Sequence, residues 1–133
     1  MTETTKTPII LLVDDDSFLL DMYKIKFEKG GYTVKLALGS EEALTLLRGG
    51  FVPDIIITDV VMPTIDGIEM IALIRKEQLA TGAMVVTLSN QSSAQDIERA
   101  KKVGVDGYII KATTIPSEVY EHIHKMYEGH KKS

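Results

Sequence analysis

Three short runs, Ile9-Ile10-Leu11-Leu12-Val13, Asp54-Ile55-Ile56-Ile57-Thr58 and Met84-Val85-Val86-Thr87-Leu88, are apolar at almost every position. A strand that is apolar on both faces has to be covered on both, as happens at the centre of a parallel sheet flanked by helices. Two of the runs stop on acids. The first ends in Asp14-Asp15-Asp16, and the second delivers Asp59 before Val60-Val61-Met62-Pro63. Acids gathered at one strand-end edge suggest a metal and phosphate site.

Between these runs lie longer amphipathic segments, so the chain alternates β and α five times. The remaining strands are Thr33 to Ala37, which alternates polar and apolar like an edge strand, and Gly107 to Ile110. Helix one is predicted from about Phe18 to Lys29, with Asp16 or Ser17 as N-cap and Gly30-Gly31 as its stop. Helix two opens at Ser40, carries Glu41 and Glu42 in its first turn and ends near Gly49-Gly50. Helix three is expected over about Gly67 to Thr81, burying Ile68, Ile71 and Ile74. Helix four starts near Ser93 and buries Ile97 and Ala100. Helix five starts near Pro116, with Val119, Ile123 and Met126 or Tyr127 at helical spacing. Right-handed crossovers then favour an α/β, doubly wound (βα)5 fold, flavodoxin-like, with a five-stranded parallel sheet of order 2-1-3-4-5. Ligands of such sheets bind beyond the strand C-termini, at the switch between strands one and three, where Asp14, Asp15 and Asp59 converge.

Composition narrows the function. The 133 residues, 44% apolar and 26% charged, suit one domain, placed at residues 8–127 between flexible ends at 1–7 and 128–133. Nineteen acidic against fifteen basic residues give a net charge of -4, which argues against direct nucleic-acid binding. There is no cysteine for disulfides or thiolate metal sites. No apolar run approaches the roughly 20 residues of a membrane helix, and the N-terminus has no apolar signal core, so a cytoplasmic protein is expected. Few residues follow helix five, so no output domain is expected, and the chain is either a stand-alone unit that acts by docking or a piece of a larger protein.

Five landmarks in order carry a specific resemblance. These are the acidic doublet after strand one, Asp59 followed by Met62-Pro63 and Asp66-Gly67 after strand three, Ser89 after strand four, and Lys111 after strand five. From about Thr7 to Tyr127 the chain resembles a response-regulator receiver domain, the phosphoacceptor half of two-component signalling. The resemblance implies Asp59 as nucleophile and phosphorylation site, Lys111 and Ser89 as partners of the phosphoryl oxygens, and Ser89 with Tyr108 as the switch. It implies Mg²⁺ (or Mn²⁺) on Asp14, Asp15, Asp59 and a carbonyl near Val61, with Asp14 acting more through water. Such oxygen ligands suit a hard divalent ion, and three crowded carboxylates need a cation. Val61, Asn90 and Gln91 are expected to tune phosphate lifetime. The implied donor is a histidine kinase or histidine phosphotransfer protein, and the implied output is a protein partner or a homodimer through helix four, strand five and helix five.

The sequence departs from the usual receiver pattern at three places: Ala112 stands where proline normally follows the lysine, Ser89 where threonine is commoner, and Asn90 where a small alanine is typical. Plainer readings stand beside these. Asp16 is a helix cap, the methionines are core filler, and Tyr108 is either a switch or a strand aromatic packed on helix four. His122 and His124 point to different sides of helix five. The alternative enzyme class is a haloacid-dehalogenase-like phosphohydrolase with Asp14 as nucleophile and Asp16 as general acid, which leaves Asp59 without a role. The third reading is a degenerate receiver that only binds partners.

Overall fold

The computed structural model describes residues 7–90, 93–111 and 114–131. Its elements are β1 (Ile9–Asp14), α1 (Ser17–Lys29), β2 (Thr33–Leu38), α2 (Ser40–Arg48), β3 (Ile55–Thr58), α3 (Gly67–Lys76), β4 (Met84–Ser89), α4 (Ala94–Lys102), β5 (Gly107–Ile110) and α5 (Pro116–Lys131). The five strands form one parallel sheet in the order β2-β1-β3-β4-β5. Among the described residues, no helix is long and apolar enough to cross a membrane.

Strand periodicity divides the interior into two cores. Alternate residues Ile10, Leu12, Ile55, Ile57, Met84 and Val86 pack on one face with Leu20, Tyr23 and Phe27 of α1 and Val119 and Ile123 of α5. Leu11, Val13, Ile56 and Val85 face the other way, onto Leu44 and Leu47 of α2 and Met70, Ile71 and Ile74 of α3. Ile10, Leu11, Ile55, Ile56 and Ile57 are completely buried. Each such side chain contributes roughly 1.5–3 kcal/mol of transfer free energy. Both faces of β1, β3 and β4 are therefore covered, while β2 leaves Thr33, Lys35 and Leu38 exposed, as an edge strand does.

Strand register sets the site. Val13 pairs with Thr58, Thr58 with Thr87, and Thr87 with Tyr108, so the ends of β1, β3, β4 and β5 lie side by side. Asp14 ends β1, Asp59 follows β3, Ser89 ends β4 and Lys111 follows β5.

Two helix boundaries differ from the sequence expectation. Helix α3 stops at Lys76 rather than near Thr81. Gln78 takes a left-handed φ of 57°, and the Leu79 N–H turns back to donate to the Ile74 carbonyl at 2.9 Å. This is a helix stop normally signalled by glycine, and glutamine gives no such signal. Leu79 and Ala80 stay packed on the α2–α3 core, which explains why the apolar pattern outlasts the helix. Helix α5 continues to Lys131, through residues assigned by sequence to the tail. Ile97, expected in the core, is only half-buried, whereas Ala100 is buried.

The Asp66-Gly67 pair starts α3 for a steric reason. Asp66 is the N-cap and forms a capping box with Glu69. Gly67 donates its N–H to the Val60 carbonyl at 2.8 Å, and a Cβ on Gly67 would collide with the Asp59 carbonyl oxygen. Because the opposing group is backbone at the end of a central strand, it has nowhere to move. Gly67→Ala is expected to cost about 1–3 kcal/mol in urea unfolding, as overpacking does. An unchanged unfolding midpoint would contradict this fit.

Candidate phosphoryl and metal site

The acids that end β1 and β3 meet across the strand pair. One carboxylate oxygen from each of Asp14, Asp15 and Asp59 lies within 4.8 Å of the others. Asp15 is exposed, while the side chains of Asp14 and Asp59 are only 10% and 12% exposed. Asp59 is oriented by the Val60 N–H, which donates to its Oδ1 at 2.8 Å. Asp14 accepts from the Asp16 N–H at 3.0 Å, which tightens the turn leaving β1.

The Lys111 ammonium enters this cluster from the end of β5. It donates to Asp14 Oδ2 at 3.0 Å and stands 3.7 Å from Asp59 Oδ2. Burial alone would lower the Lys111 pKa, but the hydrogen bond to Asp14 and the charges of Asp59 and Asp14 outweigh it and raise it. Asp59 is pushed above the usual carboxylate range, first by burial and then by repulsion from Asp14 and Asp15, against the pull of Lys111 and the Val60 N–H. One ammonium thus fails to compensate three acids. A divalent cation with oxygen ligands fits this deficit, and exposed Asp15 leaves room for its waters.

Ser89, fully buried, ends β4 and is hydrogen-bonded with Tyr108 of β5. Burial raises the Tyr108 phenol, and the bond to Ser89 works in the opposite sense. Tyr108 also packs against the small cluster of Val60, Ile68 and Ala100, the last of these on α4. Val61 is exposed on the loop after β3, and Asn90 is exposed after β4, where it lines a groove with Lys111 and Tyr23. Gln91 and the Lys111–Ala112 bond lie outside the described residues.

Asp16 is not part of the cluster's chemistry. Its Oδ1 accepts from the N–H groups of Phe18 and Leu19 at 3.0 and 3.3 Å, so it caps α1 as the plainer reading has it. The phosphohydrolase alternative needs this same carboxyl as general acid, and one of its oxygens is committed to the cap. His122 is exposed, while His124 is half-buried and its Nδ1 lies 2.8 Å from the Tyr32 hydroxyl, an interior contact far from the acids.

Two contributors escaped the sequence. Tyr23 of α1 is buried, and Lys111 and Asp14 both act electrostatically on its phenol; its only sequence signal was an apolar helical position. Arg99 of α4 pairs with Asp66 at 2.8 Å, and nothing in the sequence pairs residues 33 apart.

Because the folded pKa of Asp59 is raised, the folded protein keeps a proton that the unfolded chain has already lost. Stability of the metal-free protein therefore falls as pH rises from the ordinary carboxylate range through the raised value. Asp59→Asn removes that loss and keeps an acceptor for Val60 N–H, while Lys111 retains Asp14. In chelator-treated buffer at neutral pH the variant is expected to unfold at higher urea than wild type, with a flatter acid-side pH profile. A variant less stable than wild type would contradict the imbalance.

Residues 10–124 match the response regulator receiver domain family. The chain is 32% identical over 111 residues to the Regulator of RpoS of Escherichia coli, covering 84% of this chain and 32% of that protein. It is 33% identical over 128 residues to the transcriptional regulatory protein YvrH of Bacillus subtilis, covering 93% of this chain and 52% of that protein. It thus spans about a third to a half of the length of these relatives. A solved CheY-like receiver domain from Methanospirillum hungatei superposes with a TM-score of 0.86 at 26% identity, covering 96% of this chain and 98% of that one. With the sheet order and strand-end residues already in place, the match makes this chain a member of the response regulator receiver domain family.

Proposed function

We propose that Asp59 is the phosphoacceptor of a two-component phosphorelay, taking its phosphoryl group from a histidine kinase or histidine phosphotransfer protein. The carrying observation is the placement of its carboxylate: largely buried at a strand end, one oxygen fixed by the Val60 N–H, the other facing Lys111, with two further acids within 4.8 Å. The nucleophilic oxygen of Asp59 attacks phosphorus in line with the bond to the donor imidazole nitrogen. The new O–P bond forms as the P–N bond breaks, and the nitrogen leaves with the electron pair. Lys111 offsets charge on the phosphoryl oxygens, and the Ser89 hydroxyl reorients from Tyr108 toward them. Asp14, Asp15, Asp59 and the Val61 carbonyl are the residues that would hold Mg²⁺ (or Mn²⁺), which when bound supplies Lewis-acid charge stabilisation. Water later hydrolyses the adduct, so the domain works as a self-resetting signalling switch rather than as a turnover enzyme.

The surroundings support a protein donor. Phe18 after β1, Leu38 at the end of β2, Val61 after β3 and Ile115 after β5 are large, exposed apolar side chains at the same sheet edge as the acids. Output is assigned to the α4, β5 and α5 face, where Tyr108 sits, through a protein partner or a second copy. The functional unit runs from residue 8 to the end of α5 and works in the cytoplasm, where such donors reside.

Intact mass after incubation with acetyl phosphate and Mg²⁺ tests the assignment. Wild type is expected to gain one phosphoryl group, Asp59→Asn none, and Asp14→Asn a slower gain. An adduct that survives in Asp59→Asn would overturn it. Followed over time after donor removal, Asn90→Ala is expected to change the adduct half-life severalfold, because Asn90 borders the approach to Lys111. Equal half-lives would remove Asn90, and with it the tuning role assigned with Val61 and Gln91, from the mechanism.

A further inference from the structure

Helix α4 is the least anchored helix of the fold. Of its nine residues only Ala100 is buried, whereas α1, α2, α3 and α5 bury three, four, five and two. With so little apolar area holding it, a polar contact has a larger share in fixing its position. Arg99 makes that contact. One guanidinium nitrogen donates to Asp96 on the same helix at 3.1 Å, and the other reaches Asp66 at 2.8 Å.

Asp66 is a firm mooring. Its Oδ1 accepts from the Glu69 N–H at 2.8 Å, and its own N–H donates to the Glu69 carboxylate at 3.0 Å. The adjoining Gly67 N–H is bonded to the Val60 carbonyl, and the Val60 N–H to the Asp59 carboxylate, both at 2.8 Å. A continuous series of short contacts therefore runs from Asp59 through Val60, Gly67 and Asp66 to Arg99. The Val60 side chain completes it, packing in one small cluster with Ala100 of α4 and Tyr108.

We propose that the Arg99–Asp66 ion pair is a latch: it holds α4 in place and carries a change at Asp59 to α4 through the β3–α3 junction, by a route separate from Ser89. The transmission half rests on Asp59 being the phosphoacceptor; the latch half does not. Arg99 is thus a positioning residue for the face that α4 presents.

Hydrogen exchange of residues 94–102 tests both halves on the full chain. Asp66→Asn is the informative variant, because asparagine keeps an oxygen for the α3 cap while losing the charge. In the unphosphorylated protein, Arg99→Gln and Asp66→Asn are each expected to speed α4 exchange about two- to fivefold, the range for a partly exposed ion pair. The double variant should match either single one, Arg99→Lys should recover part of the protection, and exchange in α3 should stay unchanged. Unchanged α4 exchange in both single variants, or additive effects in the double, would overturn the latch. After treatment with acetyl phosphate and Mg²⁺, wild-type α4 exchange should change, and the change should shrink in both latch variants. An equal change in all three proteins overturns transmission. No adduct on wild type defeats the acceptor reading and transmission together, while the unphosphorylated comparison still decides the latch.

Discussion

A single ammonium shared among too many carboxylates governs this structure. Lys111 reaches Asp14 at 3.0 Å and Asp59 at 3.7 Å, and Asp15 stands at the same edge with no comparable share of it. Burial first, and then repulsion from Asp14 and Asp15, raises the Asp59 pKa, while Asp14 and Asp59 raise that of Lys111 against the effect of its burial. The arrangement is stable enough to fold but short of positive charge. It therefore favours whatever restores the balance: a proton or a divalent cation.

The sheet makes this imbalance possible. Parallel strands in the order β2-β1-β3-β4-β5 bring β1 and β3 together as neighbours although 40 residues separate Asp14 from Ile55, and they point every strand end to the same side. Two apolar cores clamp the central strands, so the acids cannot relieve their repulsion by moving apart. Gly67 adds a second constraint by seating α3 against the Asp59 carbonyl, which fixes the peptide whose N–H orients the carboxylate. Rigidity there contrasts with α4, which buries one alanine and leans on one ion pair. A stiff acidic site beside a loosely held helix is a sound arrangement for turning a local charge event into a change of surface.

Much of this was legible in the sequence because it depends on periodicity and on strand-end position. The doubly apolar runs named the central strands, the alternation of Thr33 to Ala37 named the edge, and the acids, Ser89 and Lys111 fell where parallel strands must stop. What escaped follows from other physics. The end of α3 is set by Gln78 in a left-handed conformation, which its residue type does not signal. Tyr23 looked like any buried aromatic until the fold set it beside Lys111. Arg99 and Asp66 are brought together only by helix packing, so no local pattern could pair them. Asp16 takes its place through geometry: its side chain accepts from the first N–H groups of α1 and so caps that helix.

Charge imbalance at the strand ends is open to one direct measurement, thermal unfolding of wild type and Asp59→Asn across a Mg²⁺ titration. A cation that binds the folded acids stabilises them by mass action. The wild-type Tm should rise through the millimolar range, and the rise should be clearly smaller in Asp59→Asn, whose cluster has lost one charge. A wild-type Tm indifferent to Mg²⁺, or an equal rise in both proteins, would contradict the claim that Asp14, Asp15 and Asp59 form a cation-deficient site.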